Sequence, residues 1–132
     1  METTTETESE TSRLTVSLAV EKPLATVWSG LMTTEGNEAL LGAGGRLGSK
    51  SDDWRAEDGS YGVTRSFHPM EQIRFSWHAD AESPRTLVDL RFSEVDGSTR
   101  LDLTQDNLPP DADLTALTSR WDSALSRLAA LA

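Results

Sequence analysis

The stretch from 113 to 131, DLTALTSRWDSALSRLAAL, reads as one amphipathic helix. Asp111 or Asp113 can cap its start, because a short carboxylate accepts a hydrogen bond from one of the first amides, which have no helical partner. At about 100° per residue, Leu114, Leu117, Trp121, Ala124, Leu125 and Leu128 fall on one arc. Pro109-Pro110 separates this helix from whatever precedes it. It is the longest helix in the chain, and its apolar face needs a cover.

The segments before it supply strands. Thr99, Leu101, Leu103 and Gln105 share one face of a last strand, which Asp96-Gly97 joins by a tight hairpin to a strand over 86–94. In that strand Val88, Leu90 and Phe92 point one way. Ile73, Phe75 and Trp77 alternate with Arg74, Ser76 and His78, and His68-Pro69-Met70-Glu71 turns back to a strand with Tyr61, Val63, Arg65 and Phe67 on one face. Residues 46–50 read as a weak strand. Residues 52–58 read as a loop carrying Trp54.

At the other end of the chain, Leu14, Val16, Leu18 and Val20 form a half-buried first strand. Pro23 suits the start of a short helix through Leu24, Val27, Trp28 and Leu31. Thr33 or Thr34 caps a second through Leu40 and Leu41, and Gly42-Ala43-Gly44-Gly45 ends it. Residues 1–12 carry four glutamates, no base and no apolar side chain after Met1, so we expect a disordered acidic tail ahead of a single domain over 13–132.

Composition narrows the function. The 132 residues carry 22 acids against 12 bases, a net charge of -10, which disfavours nucleic acid and anionic membrane surfaces as partners. There is no cysteine, hence no disulfide framework and no thiolate chemistry. No apolar run has a membrane helix's length, and no leader pattern opens the chain, so a cytoplasmic location is the expectation. The order strand, two short helices, antiparallel meander, long helix predicts an α+β helix-grip fold: a curved antiparallel sheet of about six strands wrapped around the C-terminal helix.

This order resembles the START and birch-pollen-allergen (SRPBCC) superfamily, and within it the family named for the activator of heat-shock-protein ATPase. Val27-Trp28, Gly44-Gly45, Gly59-Ser60-Tyr61-Gly62 and His68-Pro69 carry the resemblance. Arg74-Phe75-Ser76-Trp77, Thr86-Leu87-Val88, Gly97-Ser98-Thr99-Arg100-Leu101 and Trp121 with Leu125 complete it, over roughly residues 13–130. It departs at Glu38-Ala39-Leu40-Leu41, where relatives commonly carry a tryptophan, and at Gln105-Asp106, where many carry a histidine. The resemblance implies a scaffold with a cavity between sheet and helix.

Reaction motifs are weak. His68 and His78 stand about six positions apart along one hairpin, roughly 20 Å, and cannot share an ion, so no metal or other cofactor is expected. The glycines at 42–48 break the phosphate-loop spacing at Leu47. No serine elbow is present. Asp89 and Asp102 read as outward cross-strand partners of Arg91 or Arg100.

Arg65 stands among apolar residues of its strand. Three readings compete: a bulge that turns it outward, an internal carboxylate partner, or a place in the pocket wall. Gln105 could orient a ligand with one hydrogen bond. Trp28, Trp77 and Trp121 belong to the core face, which in this fold is also the cavity wall.

The expected function is binding of a small, mostly apolar or aromatic molecule between sheet and helix. Trp28, Tyr61, Phe67, Phe75, Trp77, Val88, Leu90, Phe92, Leu101, Leu103, Trp121 and Leu125 would form the wall, Arg65 and Gln105 would orient the ligand, and Trp54, Gly44 and Gly45 would flank the entrance. No residue is assigned a catalytic role. A cyclase or dehydratase would need an ionisable group inside the cavity. A chaperone-binding module would need an apolar outer sheet face, which alternation denies except at Leu87. Monomer and homodimer remain open.

Overall fold

The computed structural model describes residues 12–132. The expected acidic tail lies outside the described residues except for Ser12, which opens the first strand. The elements are β1 (Ser12–Val20), α1 (Leu24–Leu31), α2 (Thr34–Leu41), β2 (Asp53–Arg55), β3 (Tyr61–His68), β4 (Gln72–Trp77), β5 (Thr86–Val95), β6 (Ser98–Leu108) and α3 (Leu114–Leu131). The strands form one antiparallel sheet in the order β1-β6-β5-β4-β3-β2. This is the helix-grip architecture: α3 lies against the inner face and the α1–α2 pair closes one end.

Local chemistry sets the boundaries. The Asp113 carboxylate accepts from the Ala116 amide at 3.0 Å and starts α3. The Thr33 hydroxyl accepts from the Gly36 amide at 3.0 Å and starts α2. Asp96 and Gly97 turn β5 into β6 with φ of 53° and 80°, the left-handed pair that a two-residue hairpin needs. On α3, Trp121, Ala124, Leu125 and Leu128 are buried, but Leu114, in the first turn, is 40% exposed.

Two strand readings are corrected. Residues 46–50 form no strand. The edge strand is β2, within the stretch read as a loop, and its single inward residue is Trp54, 3% exposed. The Trp54 indole donates to the Ser76 carbonyl at 3.2 Å and stands edge-on to Phe75, with ring centres 5.7 Å apart. Three residues give too little alternation to register as a strand. Trp54 is therefore part of the core, not a residue of a polar loop.

The second correction concerns β3. A bulge breaks the register with β4 between Thr64 and Ser66. Up to the bulge the inward residues are Gly62 and Thr64, and after it Phe67. Tyr61 and Val63 therefore face outward with Arg65, so the outer face is less polar than alternation implied. The expected aspartate pairs also differ: Arg91 bonds Asp89 (3.0 Å) and Arg100 bonds Asp102 (2.9 Å) along their own strands, while Asp89 reaches across to Arg74 at 3.7 Å.

Gly62 sits opposite Trp54, and a Cβ there would lie 1.9 Å from the Ser76 carbonyl oxygen and 2.8 Å from the Trp54 indole nitrogen. Backbone cannot yield as a flexible side chain does. Gly62→Ala is expected to cost about 3 kcal/mol, the upper part of the overpacking range. Urea unfolding of the variant should show the midpoint falling with an unchanged slope.

Candidate functional site

The inner face is closed by packing and by one buried polar chain. Phe75, Val88, Leu90, Leu101, Leu103, Trp121 and Leu125 are each 0% exposed. Trp77 stands edge-on to Trp121, with ring centres 5.8 Å apart. The Trp121 indole donates to the Gln105 carbonyl oxygen at 2.7 Å. The Gln105 amide donates to the Thr86 hydroxyl at 2.9 Å, and that hydroxyl donates to the Trp77 carbonyl at 2.7 Å. Gln105 thus spends its acceptor and one donor on joining α3 to β5 and β6.

Arg120 closes the chain's outer end. Its guanidinium carbon lies 5.1 Å from the ring centre of Trp77 and 5.3 Å from that of Trp121. It also donates to Asp58 at 3.1 Å and to the Leu41 carbonyl at 3.2 Å, capping the last turn of α2. The Trp77 indole nitrogen is buried without a hydrogen-bond partner among the described residues, and the guanidinium beside it is itself only a donor.

Burial raises the Asp58 carboxyl. The Ser60 hydroxyl and amide, with Arg120, more than offset that and hold it below the usual range. The Gly44 amide, then Arg46, hold Glu38 low in the same way.

A cavity of about 570 Å³ opens at the other end, where α1, α2, the 47–52 segment and the end of β3 meet. Met32, Leu47 and Phe67 give it apolar walls, and Lys50 and Asp52 stand at its rim. Phe67 is edge-on to Trp28 (5.6 Å between centres) and Trp28 edge-on to Phe92 (5.2 Å), so a file of rings runs inward from the opening. The Asn37 side chain lies at the floor. It donates to the Leu31 and Thr33 carbonyls at 2.7 and 3.2 Å and accepts from the Leu47 amide at 2.7 Å, which fixes the segment to α2.

The sequence-predicted residues therefore divide. Trp28 and Phe67 stand at or beside this opening, with Phe92 behind them. Phe75, Trp77, Val88, Leu90, Leu101, Leu103, Gln105, Trp121 and Leu125 pack together beneath α3, and Tyr61 and Arg65 lie on the outer face. Gly45 is buried against Leu41, and the Gly44 amide donates to Glu38 at 2.9 Å. Met32, Asn37, Leu47 and Arg120 were not singled out from sequence. Arg120 carried a readable signal, a cation next to a core tryptophan. Asn37 carried none.

A sheet folded around a C-terminal helix, closed by a short helix pair, defines an SRPBCC-type domain. A family model described as Activator of Hsp90 ATPase homolog 1-like protein matches residues 12–132, and the chain belongs to that family. No curated protein matches the sequence. Among solved structures, CalU16 from Micromonospora echinospora superposes with a TM-score of 0.74 at 19% identity, over 90% of this chain and 74% of that one. MLL2253 from Mesorhizobium loti gives 0.77 at 15% identity, over 91% and 96%. The Aha1 dimer from Colwellia psychrerythraea gives 0.70 at 15% identity, over 89% and 92%. At these identities the likeness is one of fold. Among the described residues no helix is long and apolar enough to cross a membrane.

Two outcomes follow. Gln105→Leu leaves the Trp121 indole N–H buried and unpaired, and urea unfolding should show a loss of about 2 to 3 kcal/mol. A carboxyl held low in the folded state stabilises above its unfolded pKa, and that stability is lost as pH falls through the folded pKa. The Tm gap between the native chain and Asp58→Asn should therefore be full at pH 7 and close below about pH 4.

Proposed function

We propose that this protein binds a small, mostly apolar molecule at the opening between the α1–α2 pair, the 47–52 segment and β3. The observation that carries the reading is the 570 Å³ cavity walled by Met32, Leu47 and Phe67, with the Trp28 and Phe92 rings packed in file behind Phe67. Its volume falls in the range of small-molecule sites. The ligand's apolar body would rest on Phe67 and Trp28, and any polar end would meet Lys50 at the rim. The space beneath α3 is the poorer host, because Trp121 and Gln105 are already bonded to each other there.

Neutral probes test this. Naphthalene, indole and decanol titrated into the labelled protein should give saturable NMR shifts at the Trp28 indole and the Phe67 ring, with the Trp121 indole unmoved. Phe67→Ala should weaken binding at least tenfold, about 1.4 kcal/mol. Shifts centred on Trp121, or none across the panel, would overturn the proposal.

A further inference from the structure

The outer face of the sheet carries an unusual distribution of arginine. Of the ten arginines in the chain, Arg13, Arg46, Arg74, Arg91, Arg100 and Arg120 each pair with a carboxylate. Arg55, Arg65, Arg85 and Arg127 have no such partner among the described residues. Three of these four, Arg55, Arg65 and Arg85, line one cleft of about 430 Å³ on the β2–β5 half of the sheet. A chain with 22 acids has carboxylates to spare, yet Asp53 is the only one lining this cleft, and no ion pair joins it to the three guanidiniums.

The register explains how they converge. Arg55 faces Tyr61 across β2 and β3, Tyr61 faces His78 across β3 and β4, and Arg85 precedes Thr86, the partner of Trp77. One row, crossing β2 and β3 and the residues that follow β4 and precede β5, thus reads Arg55, Tyr61, His78, Arg85. The Tyr61 and His78 rings are parallel, with centres 4.4 Å apart, and the Arg55 guanidinium lies 5.9 Å from the Tyr61 centre. These stacks hold Arg55, Tyr61 and His78 in place ahead of any ligand.

Arg65 comes to the same cleft because of the bulge, which turns it out of the face that Phe67 occupies. Ser76, 2% exposed, also lines the cleft. Its oxygen accepts from the Val63 amide at 2.8 Å, and its O–H has no acceptor among the described residues. The His78 Nδ1 lies 3.0 Å from the Ser83 carbonyl, which can only accept, so that nitrogen carries the proton and Nε2 is left for another partner.

We propose that this cleft binds a small organic oxyanion, a carboxylate or a phosphate ester with a flat apolar body. The oxyanion sits over the Val63–Ser76 row between Arg65 and Arg85, and the flat part lies along Val63 and the exposed edge of the Tyr61 ring. Guanidinium is always charged and presents a fork that fits either oxyanion. The net charge of -10 argues against a polyanion as the occupant, since long-range repulsion grows with ligand charge while one small anion meets mainly the local cations.

The test is an NMR titration of the full chain at constant ionic strength, with sodium chloride as the reference salt. The probes are inorganic phosphate, phenyl phosphate and benzoate. Saturable shifts at Tyr61, His78 and the Arg65 and Arg85 Nε signals, with Kd of about 1 mM or tighter, are expected for at least one probe. Phenyl phosphate stronger than benzoate would identify a phosphate ligand, and the reverse order a carboxylate.

The double variant Arg65→Gln/Arg85→Gln changes two exposed side chains, and its amide spectrum reports that the fold is kept. It should bind at least tenfold more weakly. No saturation by any of the three probes, or equal binding by the double variant, would overturn the proposal.

Discussion

The hydrogen bond from the Trp121 indole to Gln105 is the contact on which the grip depends. It lies at 2.7 Å between two side chains that are each 0% exposed. Hydrophobic burial would hold α3 against the sheet at many rotations and offsets, because it is not directional. The indole-to-carboxamide bond admits one. Thr86 continues the chain to the Trp77 carbonyl at 2.7 Å, so the position of α3 is tied to two strands at once. A buried polar network of this kind is favourable only when its members are satisfied, which penalises every other seating of the helix.

That constraint decides where free space lies. With α3 fixed and Arg120 laid over Trp77 and Trp121, the middle of the sheet-to-helix interface is occupied by side chains. The remaining inner volume collects at the α1–α2 end, where the connecting 47–52 segment is held by Asn37 at Leu47 and by backbone hydrogen bonds of Ser51 and Asp52 to Thr64 of β3. The bulge in β3 has the complementary effect on the outer face. It puts Phe67 inside beside Trp28 and turns Tyr61, Val63 and Arg65 outside. One inserted residue thus shapes both the inner opening and the outer cleft.

Most of the fold was legible because long elements carry strong periodicity. Leu101, Leu103 and Gln105, and the Trp121-to-Leu128 face of α3, follow from spacing alone. β2 was not legible, since its one core residue, Trp54, is flanked by Asp53 and Arg55 and its burial comes from Phe75 and Gly62 elsewhere in the chain. Arg65 showed that something was irregular in β3, and a bulge was one of three readings open. The consequence for Tyr61 and Val63 could not be read, because a bulge reverses the facing only of residues on one side of it. Gln105 was recognised as an inward polar group, but its partner depends on the rotation of α3, which only packing sets. The cavity walled by Met32 and Leu47 joins residues from separate loops and leaves no local pattern.

With these contacts α3 is locked to the sheet and does not lift to expose a space beneath it. Hydrogen exchange of the Trp121 indole N–H tests that most directly. If the lock holds, this proton exchanges only through global unfolding, with the same protection free energy as the Leu101 and Leu103 amides in β6. Exchange several orders of magnitude faster than those amides, in a protein whose sheet stays protected, would show that α3 opens locally and is not locked.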